Sequence, residues 1–500
     1  MARSRAVLLA VVAAIVGLAA CGRAAPSSAL ERVRAAGVLR WGADVQGGEP
    51  FVYGAPGDPE RLVGFEVEIA EAIARELGVR AELVQNDWSN LVPSLERGTF
   101  DVAMNGLEVT DARRGRVLFT RPYYVFAERL MARADDASIA PSLPALRGKK
   151  VGTLANSLAF EMLRDASEPV VYEGVEEPYA DLVAGRTDAV LLDDVIAARY
   201  GAPRAELRVV GDLGEGYYAL AVRPSEPDLA AAVDGALATI TASGELRRIL
   251  ERSRLWNARQ DRLAGWSAAD QRGMIGAPPS PSPMGRGHAA LFLRGAGVTL
   301  LVSVLAMALA MPLGLGLALG RLYGGPLLGR LAGAYVELYR GTPVLLQLYL
   351  LYYGLAPVLR LDALPAAVIG LGMNYAAYEA EVYRAGIQAV PRAQLESALA
   401  LGMTTRLALR RVVLPQALRH ALPNVTNDFI ALLKDSSLVS VITVVELTKQ
   451  MSITAVDVRS WIGPGIACAA LYFAMSYPLG VMARRLERKL EGEREAEAAA

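Results

Sequence analysis

Four charged side chains sit where charge is costly. Glu379 and Glu381 lie at the end of an apolar run that begins at Ala363, and Lys434 and Asp435 interrupt another between Asn424 and Val445. Charge at membrane depth marks a candidate solute pathway, because its burial must be compensated. The plainer alternative is an interfacial position or a structural pair, as adjacent Lys434 and Asp435 could form. Between them runs a spaced pattern: Glu396-Ser397-Ala398, three residues, Gly402, nine residues, Val412, one residue, Leu414-Pro415. Physically this describes an amphipathic helix, a glycine turn and a second helix, a projection able to dock into a partner's cleft and transmit rigid-body motion. A phosphate cradle is missing: no G-x-x-x-x-G-K-[ST] occurs, and Gly148-Lys149 lacks the upstream glycine. Cys21 and Cys468 lie far apart in apolar stretches, which predicts neither a disulfide framework nor a metal site. No cofactor is expected.

The elements that must position these residues belong to two environments. The 500 residues are 53% apolar and 21% charged, with a mean hydropathy of +0.28, too greasy for an ordinary soluble enzyme. Lys and Arg together number 52, as do Asp and Glu, and this zero balance argues against a nucleic-acid binder. The balance hides an asymmetry: 32 basic and 38 acidic residues precede Gly285, and 20 and 14 lie from it onward. Residues 1–22 have the three parts of a secretory signal, from Arg3 and Arg5 through Ala6–Ala20 to Leu18-Ala19-Ala20-Cys21-Gly22, which is similar to a bacterial lipobox acylated on Cys21. Cleavage near Ala25 or an uncleaved anchor are the alternatives, although fifteen residues at ~1.5 Å each fall short of a ~30 Å hydrocarbon core. The chain beyond Cys21 is expected outside the cell membrane.

From 31 to 256, short apolar runs alternate with amphipathic helices. In one of them Phe65, Ile69 and Ile73 recur at helical spacing among carboxylates, with Gly78 as a stop. This alternation predicts an α/β domain. Residues 257–288 turn polar and Pro-rich and read as a linker. Beyond them, Val298–Leu319 and Trp461–Ala483 are charge-free and long enough to span a bilayer. Gly341–Leu359, Ala363–Tyr378 and roughly Asn424–Val445 are weaker candidates, giving five spans and a tail at 491–500. Arginines come after the first span (Arg321, Arg330, Arg340), fill the loop between the third and fourth (Arg392, Arg406, Arg410, Arg411, Arg419), and come after the fifth (Arg484, Arg485, Arg488). The positive-inside rule puts these loops in the cytoplasm and the N-terminal part outside.

The spaced pattern of Glu396–Pro415 resembles the EAA loop of ABC-importer permeases, EAA-x3-G-x9-I-x-LP, departing from it at Ser397 and Val412. Arg340-Gly341-Thr342-Pro343 with Gln347, and Leu433-Lys434-Asp435-Ser436-Ser437-Leu438, are similar to the amino-acid branch of that family. The resemblance covers about 289–490. It implies an all-α permease domain in the bacterial inner membrane, a second copy to complete the pore, and a separate ATPase docking on 391–415. On that reading the chain has no catalytic centre.

Residues 37–256 resemble a two-lobed, type II periplasmic binding protein for polar amino acids. The likeness is carried by Leu39–Asp44, Val63–Glu68, Trp88–Asp101, Asn105–Arg113, Phe119–Tyr124, Gly148–Thr153 and Gly185–Asp194. It implies that Arg113 holds a carboxylate, for which a planar guanidinium is suited. By the same resemblance Asp193 holds an ammonium, with Asp194 as the fallback one register on. Asn105, Gly106, Thr110 and Ser157 should supply hydrogen bonds, although Asn156-Ser157-Leu158 departs from the family's Gly-Thr-rich turn. Asp44, Glu66, Trp88 and Leu154 match positions around the substrate side chain. Two acids without an opposing lysine favour a basic substrate, with glutamine or another polar amino acid as alternative. Asp44 could instead cap a turn, and Glu66 could be solvated. A ligand-gated channel also joins such a clamp to a pore but should carry a filter such as TVGYG, which is absent. A clamp-fold dehydratase or peptidoglycan lyase would leave the EAA-like loop unexplained.

Overall fold

A computed structural model describes residues 28–267, 269–271, 284–356, 358–458 and 460–499. The signal segment with Cys21, and the Pro-rich run between 272 and 283, lie outside them. The chain divides into two compact units, and the division cuts through the expected binding domain as well as the linker. Of the described residues, one unit comprises those within 28–145, 156–166 and 191–271; the other joins 146–155 and 167–190 to those within 284–499.

The first unit is built on strands β1 (Val38–Ala43), β4 (Arg80–Gln85), β5 (Val102–Ala103), β6 (Leu118–Arg133) and β10 (Leu207–Val222). Their order is β4-β1-β5-β10-β6, with β1 parallel to both neighbours and β10 antiparallel to β5 and β6. A small hairpin, β2 (Tyr53–Ala55) with β3 (Asp58–Val63), stands apart. The helix Phe65–Glu76 buries Phe65, Ile69 and Ile73 as the spacing predicts. Strands β6 and β10, each of 16 residues, pair from Leu118↔Val222 to Arg133↔Leu207 with four irregularities in register. Below the loop 105–113 lies an apolar core that includes Leu91, Leu95, Phe100, Leu107, Val109 and Phe119.

Residues 257–271, expected to begin the linker, are packed on this unit instead. Gln260 is fully buried; its amide accepts from Val125 N at 2.9 Å and donates to Val125 O at 2.8 Å. Leu263 is buried, Trp266 meets Tyr217 edge-on, and Gln271 Nε2 donates to Phe119 O. Composition hid this, because one glutamine satisfying a strand's backbone looks polar while behaving as part of the sheet.

The second unit contains parallel strands β7 (Lys150–Leu154) and β8 (Glu168–Tyr172), with β9 (Ala189–Asp193) entering through Ala189 and Val190. Its helices run Arg286–Tyr323, Gly325–Gly341, Val344–Tyr349 continuing to Gly354, Ala363–Ala389, Arg392–Ala400, Thr405–Ala408 continuing to Val413, Leu414–Asp435, Leu447–Asp457 and Ile462–Ala499. Among the described residues, two helices are long and apolar enough to cross a membrane, Arg286–Tyr323 and the Ile462–Arg485 part of the last. Both expose apolar side chains, such as Leu293, Leu301, Ile466 and Phe473, as lipid contact would require. The expected span at 341–359 starts late and is short: Thr342 is extended ahead of Pro343, and helix runs from Val344 to Gly354. The span expected from Asn424 starts ten residues earlier, at Leu414, where Pro415 occupies the first turn, and ends at Asp435.

Within this unit Asp181 is a junction. Its Oδ1 pairs with Arg186 Nη1 at 2.8 Å, and its Oδ2 accepts from Tyr172 and Tyr352 hydroxyls at 2.7 and 2.8 Å. The Arg186 guanidinium lies 4.0 Å from the Tyr352 ring centre and donates to the Tyr352 carbonyl. Lys449 pairs with Glu173.

Candidate functional site

The site in the first unit is assembled by the loop Asn105–Thr110 and the single-turn helix Asp111–Arg114 that Thr110 precedes. Gly106 is needed in that loop: its φ is +55°, and a Cβ there would meet the Phe51 ring at 2.9 Å. Glu66 holds the loop from below. Gly106 N donates to its Oε1 at 2.6 Å, as does the Tyr123 hydroxyl at 2.5 Å, and Asn105 Nδ2 reaches Oε2 at 3.4 Å. Glu66 is thus buried rather than solvated, and burial raises its pKa to about 7 against the pull of those donors. Asp44 is similarly engaged. Its Oδ1 caps the turn Val45–Gly47 through Gln46 N and accepts from Gln85 Nε2, while its Oδ2 accepts from Trp88 N. Both acids have the expected types, but they spend their oxygens on neighbouring donors.

Arg113 is buried, with its guanidinium 4.8 Å from the Trp88 ring centre. Trp88 Nε1 in turn donates to Asn105 O. Arg113 Nη1 donates to the Glu108 carbonyl at 2.9 Å and lies 3.8 Å from the Glu108 carboxylate. Ser157 caps the helix Leu158–Leu163 through Phe160 N, and Leu158 N donates to Glu108 Oε2 at 2.6 Å. The Thr110 hydroxyl is buried with no hydrogen-bond partner among the described residues.

Asp193 is buried, and its Oδ1 accepts from Ile196 N at 2.8 Å. Burial lifts its pKa to about 7, with Asp194 adding to the rise. The neighbouring Asp194 is committed elsewhere: it pairs with Arg259 and accepts from Ala127 N. Of the two aspartates, Asp193 keeps its second oxygen free of any cation among the described residues. Leu154 ends strand β7 in the second unit.

Two residues of the site went unselected by sequence reasoning, Glu108 and Glu128. Glu108 feels both Arg113 and Asp193, and burial pushes its pKa up. Glu128, on β6, is wholly buried, and neither carboxylate oxygen has a hydrogen-bond partner among the described residues. The available signal was a charged residue at an apolar position: Leu107-Glu108-Val109 and Ala127-Glu128 both place an acid in a buried run.

In the second unit the four charged candidates separate. Asp435 accepts from the Tyr375 hydroxyl at 2.7 Å and, with Arg340, Thr342, Asn374, Tyr378 and Asp428, lines a cavity of about 500 Å³. Glu381 is held by Arg321 and Arg384. Glu379 is buried behind Gly314, and Lys434 is exposed. The EAA-like segment has the expected form: Glu396, Ser397 and Ala398 lie in the helix Arg392–Ala400, Gly402 turns at φ +84°, and Leu414 and Pro415 open the helix that runs to Asp435.

Two family models match the chain. Residues 39–253 match the bacterial extracellular solute-binding proteins, family 3, and 310–492 match the binding-protein-dependent transport system inner membrane component. Over 159 residues the chain is 42% identical to the probable amino-acid ABC transporter permease PatM of Vibrio harveyi, covering 31% of this chain and 71% of that protein. It is 36% identical over 208 residues to the glutamine permease GlnP of Escherichia coli strain K12, covering 40% and 93%. Over 160 residues it is 40% identical to the L-cystine permease TcyB of Bacillus subtilis, covering 31% and 68%. A solved arginine-binding protein from T. maritima, the P235GK mutant of ArgBP, is 27% identical with a TM-score of 0.42, covering 45% of this chain and 97% of that one. The class defined by fold and site is a solute-binding clamp joined to a membrane permease. The chain belongs to the amino-acid ABC transporter permeases, with a family 3 solute-binding domain fused ahead of the permease domain.

Proposed function

We propose that this fused subunit imports a polar amino acid with a basic side chain, binding it on the outer side of the membrane with residues 31–256. It would deliver the ligand to a pore made by two copies and driven by a separate ATPase. The observation that carries the substrate reading is the charge of the site. Around the single buried Arg113 stand Glu108, Glu128 and Asp193, all buried, while Asp44 and Glu66 are engaged by neutral donors. Burial and mutual repulsion raise the pKa values of these carboxyls, and an incoming cation favours their ionised forms, so the cluster suits a ligand of net positive charge. Asp193 has an oxygen to offer an ammonium, and Arg113 remains the assigned carboxylate contact. The ATPase would dock on 391–415, where the helix–Gly402–helix shape supplies a projecting element. Asp435 and the cavity it lines are the proposed membrane pathway, while Glu379, Glu381 and Lys434 do not line that cavity. Export would be directed by residues 1–22, with Cys21 as the lipidation site.

Thermal unfolding of the full chain in lipid nanodiscs against each of the twenty amino acids tests the substrate. A ligand at ~100 times its dissociation constant adds ~2.7 kcal/mol. Stabilisation by lysine, arginine or ornithine is expected, and its absence for all three sinks the preference. Co-purification with a candidate ATPase, lost on Gly402→Asp combined with Glu396→Lys, tests the docking loop.

A further inference from the structure

We propose that the β7–β8 segment is fastened to the permease of its own chain by a buried contact that holds with or without ligand, so that this part of the clamp is a fixed outer wall of the permease and not a partner that docks and leaves. The inference rests on the reading of the chain as a fused clamp and permease, and it names the surface that joins them.

By sequence, 146–155 and 167–190 fall within the solute-binding match and Tyr352 and Lys449 within the permease match, yet all of them fold in one compact unit. Acids on one side meet tyrosines and a lysine on the other. The helix Glu177–Val183 carries Glu177 and Asp181 four residues apart on one face, and Glu173 precedes it. Asp181 accepts from the Tyr352 hydroxyl at 2.8 Å, while Arg186 donates to the Tyr352 carbonyl at 3.0 Å with its guanidinium 4.0 Å from that ring's centre. Glu173 and Glu177 act electrostatically on Tyr349, and Glu177 and Asp181 on Tyr353. Lys449 completes the set by pairing with Glu173.

Burial makes the contact durable. The Arg186 and Asp181 side chains are 6% and 1% exposed, and that of Lys449 is 6% exposed against a half-exposed Glu173. Exposed ion pairs hold little, whereas parting a desolvated set leaves its members without partners. Tyr352 serves both members of one pair, its hydroxyl meeting the acid and its carbonyl and ring face the guanidinium, as a side chain with a polar tip and a π face can. The topology agrees independently. Leu350–Gly354 and Leu447–Asp457 adjoin loops other than the arginine-rich ones after the first, third and fifth spans, so the positive-inside rule puts both on the outer side, where the clamp is expected. Covalent joining adds to this, because a tethered partner is present at a local concentration on the order of mM, and a modest interface then suffices to stay closed.

Carbodiimide coupling and hydrogen exchange on the full chain in lipid nanodiscs test the attachment. The chain has five lysines, Lys149, Lys150, Lys434, Lys449 and Lys489, and peptide mapping is expected to find Lys449 joined to Glu173 by an amide in a product of single-chain mass. No such link, or one found only in a product of two-chain mass, overturns the proposal. Exchange at 177–186 should change less than twofold when lysine, arginine or ornithine is added at saturation, bound ligand being registered by slowed exchange at 105–113. A tenfold change at 177–186 in either direction overturns permanent attachment. Tyr352→Ala with Lys449→Glu should speed exchange at 177–186 at least tenfold and leave β1 and β4 as in the wild type, and an unchanged rate overturns the contact. Should that variant fail to fold, Lys449→Glu alone should speed exchange and the added Glu173→Lys should restore the wild-type rate; no effect of Lys449→Glu overturns the contact equally. If none of the three amino acids slows exchange at 105–113, the substrate reading fails, while the cross-link and the variants still decide the attachment.

Discussion

Asp181 and Glu128 are two carboxylates buried almost completely in one chain, and they are met in opposite ways. Asp181 has a guanidinium on one oxygen and two tyrosine hydroxyls on the other. Glu128 has acids for neighbours and, among the described residues, no hydrogen-bond partner for either oxygen. Desolvation penalises both, so the difference lies in what offsets it. A carboxylate met by a cation and hydroxyls stays charged inside the fold, and one met only by other acids is pushed toward its neutral form.

Substitutions can break that contrast. The largest effect is expected from Asp181→Ala, which strands Arg186 in the interior; about 3–5 kcal/mol should be lost, read by chemical denaturation of the full chain. Asp193→Asn should leave the fold intact but weaken ligand binding by about 2–4 kcal/mol, as removal of one buried charge partner does, while Asp194→Asn shifts affinity far less. A pH dependence comes from Asp193, whose carboxyl is raised to about 7 in the folded protein from an ordinary value near 3.8. An acid so raised destabilises the fold progressively as pH climbs from about 4 to about 7, because only the unfolded chain ionises freely there. Binding of an ammonium runs the other way and should weaken about tenfold for each pH unit below 7, measurable by calorimetry in two buffers. Glu128→Gln sharpens the contrast most directly: where Asp181→Ala destabilises, this change should leave stability unchanged or raise it by about 1 kcal/mol while impairing ligand binding. A modest loss of stability, about 1–2 kcal/mol, is expected for Gly402→Val, which forces a β-branched residue to φ +84°; ATPase co-purification should fall by more than that figure implies.

Much of the fold was legible because it is written in periodicity. Phe65, Ile69 and Ile73 announced their helix, and the charge-free runs announced the first and last membrane helices. The interrupted spans were misplaced where backbone chemistry outweighed apolarity, at Pro343 and Pro415. In the site, residue type was readable and partnership was not. Asp44 and Glu66 look like available acids in sequence, yet their oxygens are taken by Trp88, Gly106 and Tyr123, some forty or more positions away in the chain. Asp193 and Asp194 are adjacent and alike, and only their partners tell them apart: Arg259 and Ala127 N for Asp194, Ile196 N for Asp193. Glu108 and Glu128 escaped notice because an acid inside an apolar run is read as a surface position until its burial is seen.

Gln260 has a mechanical consequence. By gripping both backbone groups of Val125 it pins the outgoing chain midway along β6, one of the two 16-residue strands. The chain leaving β10 is thereby made part of the sheet's surface, where Leu263 is buried and Trp266 packs on Tyr217.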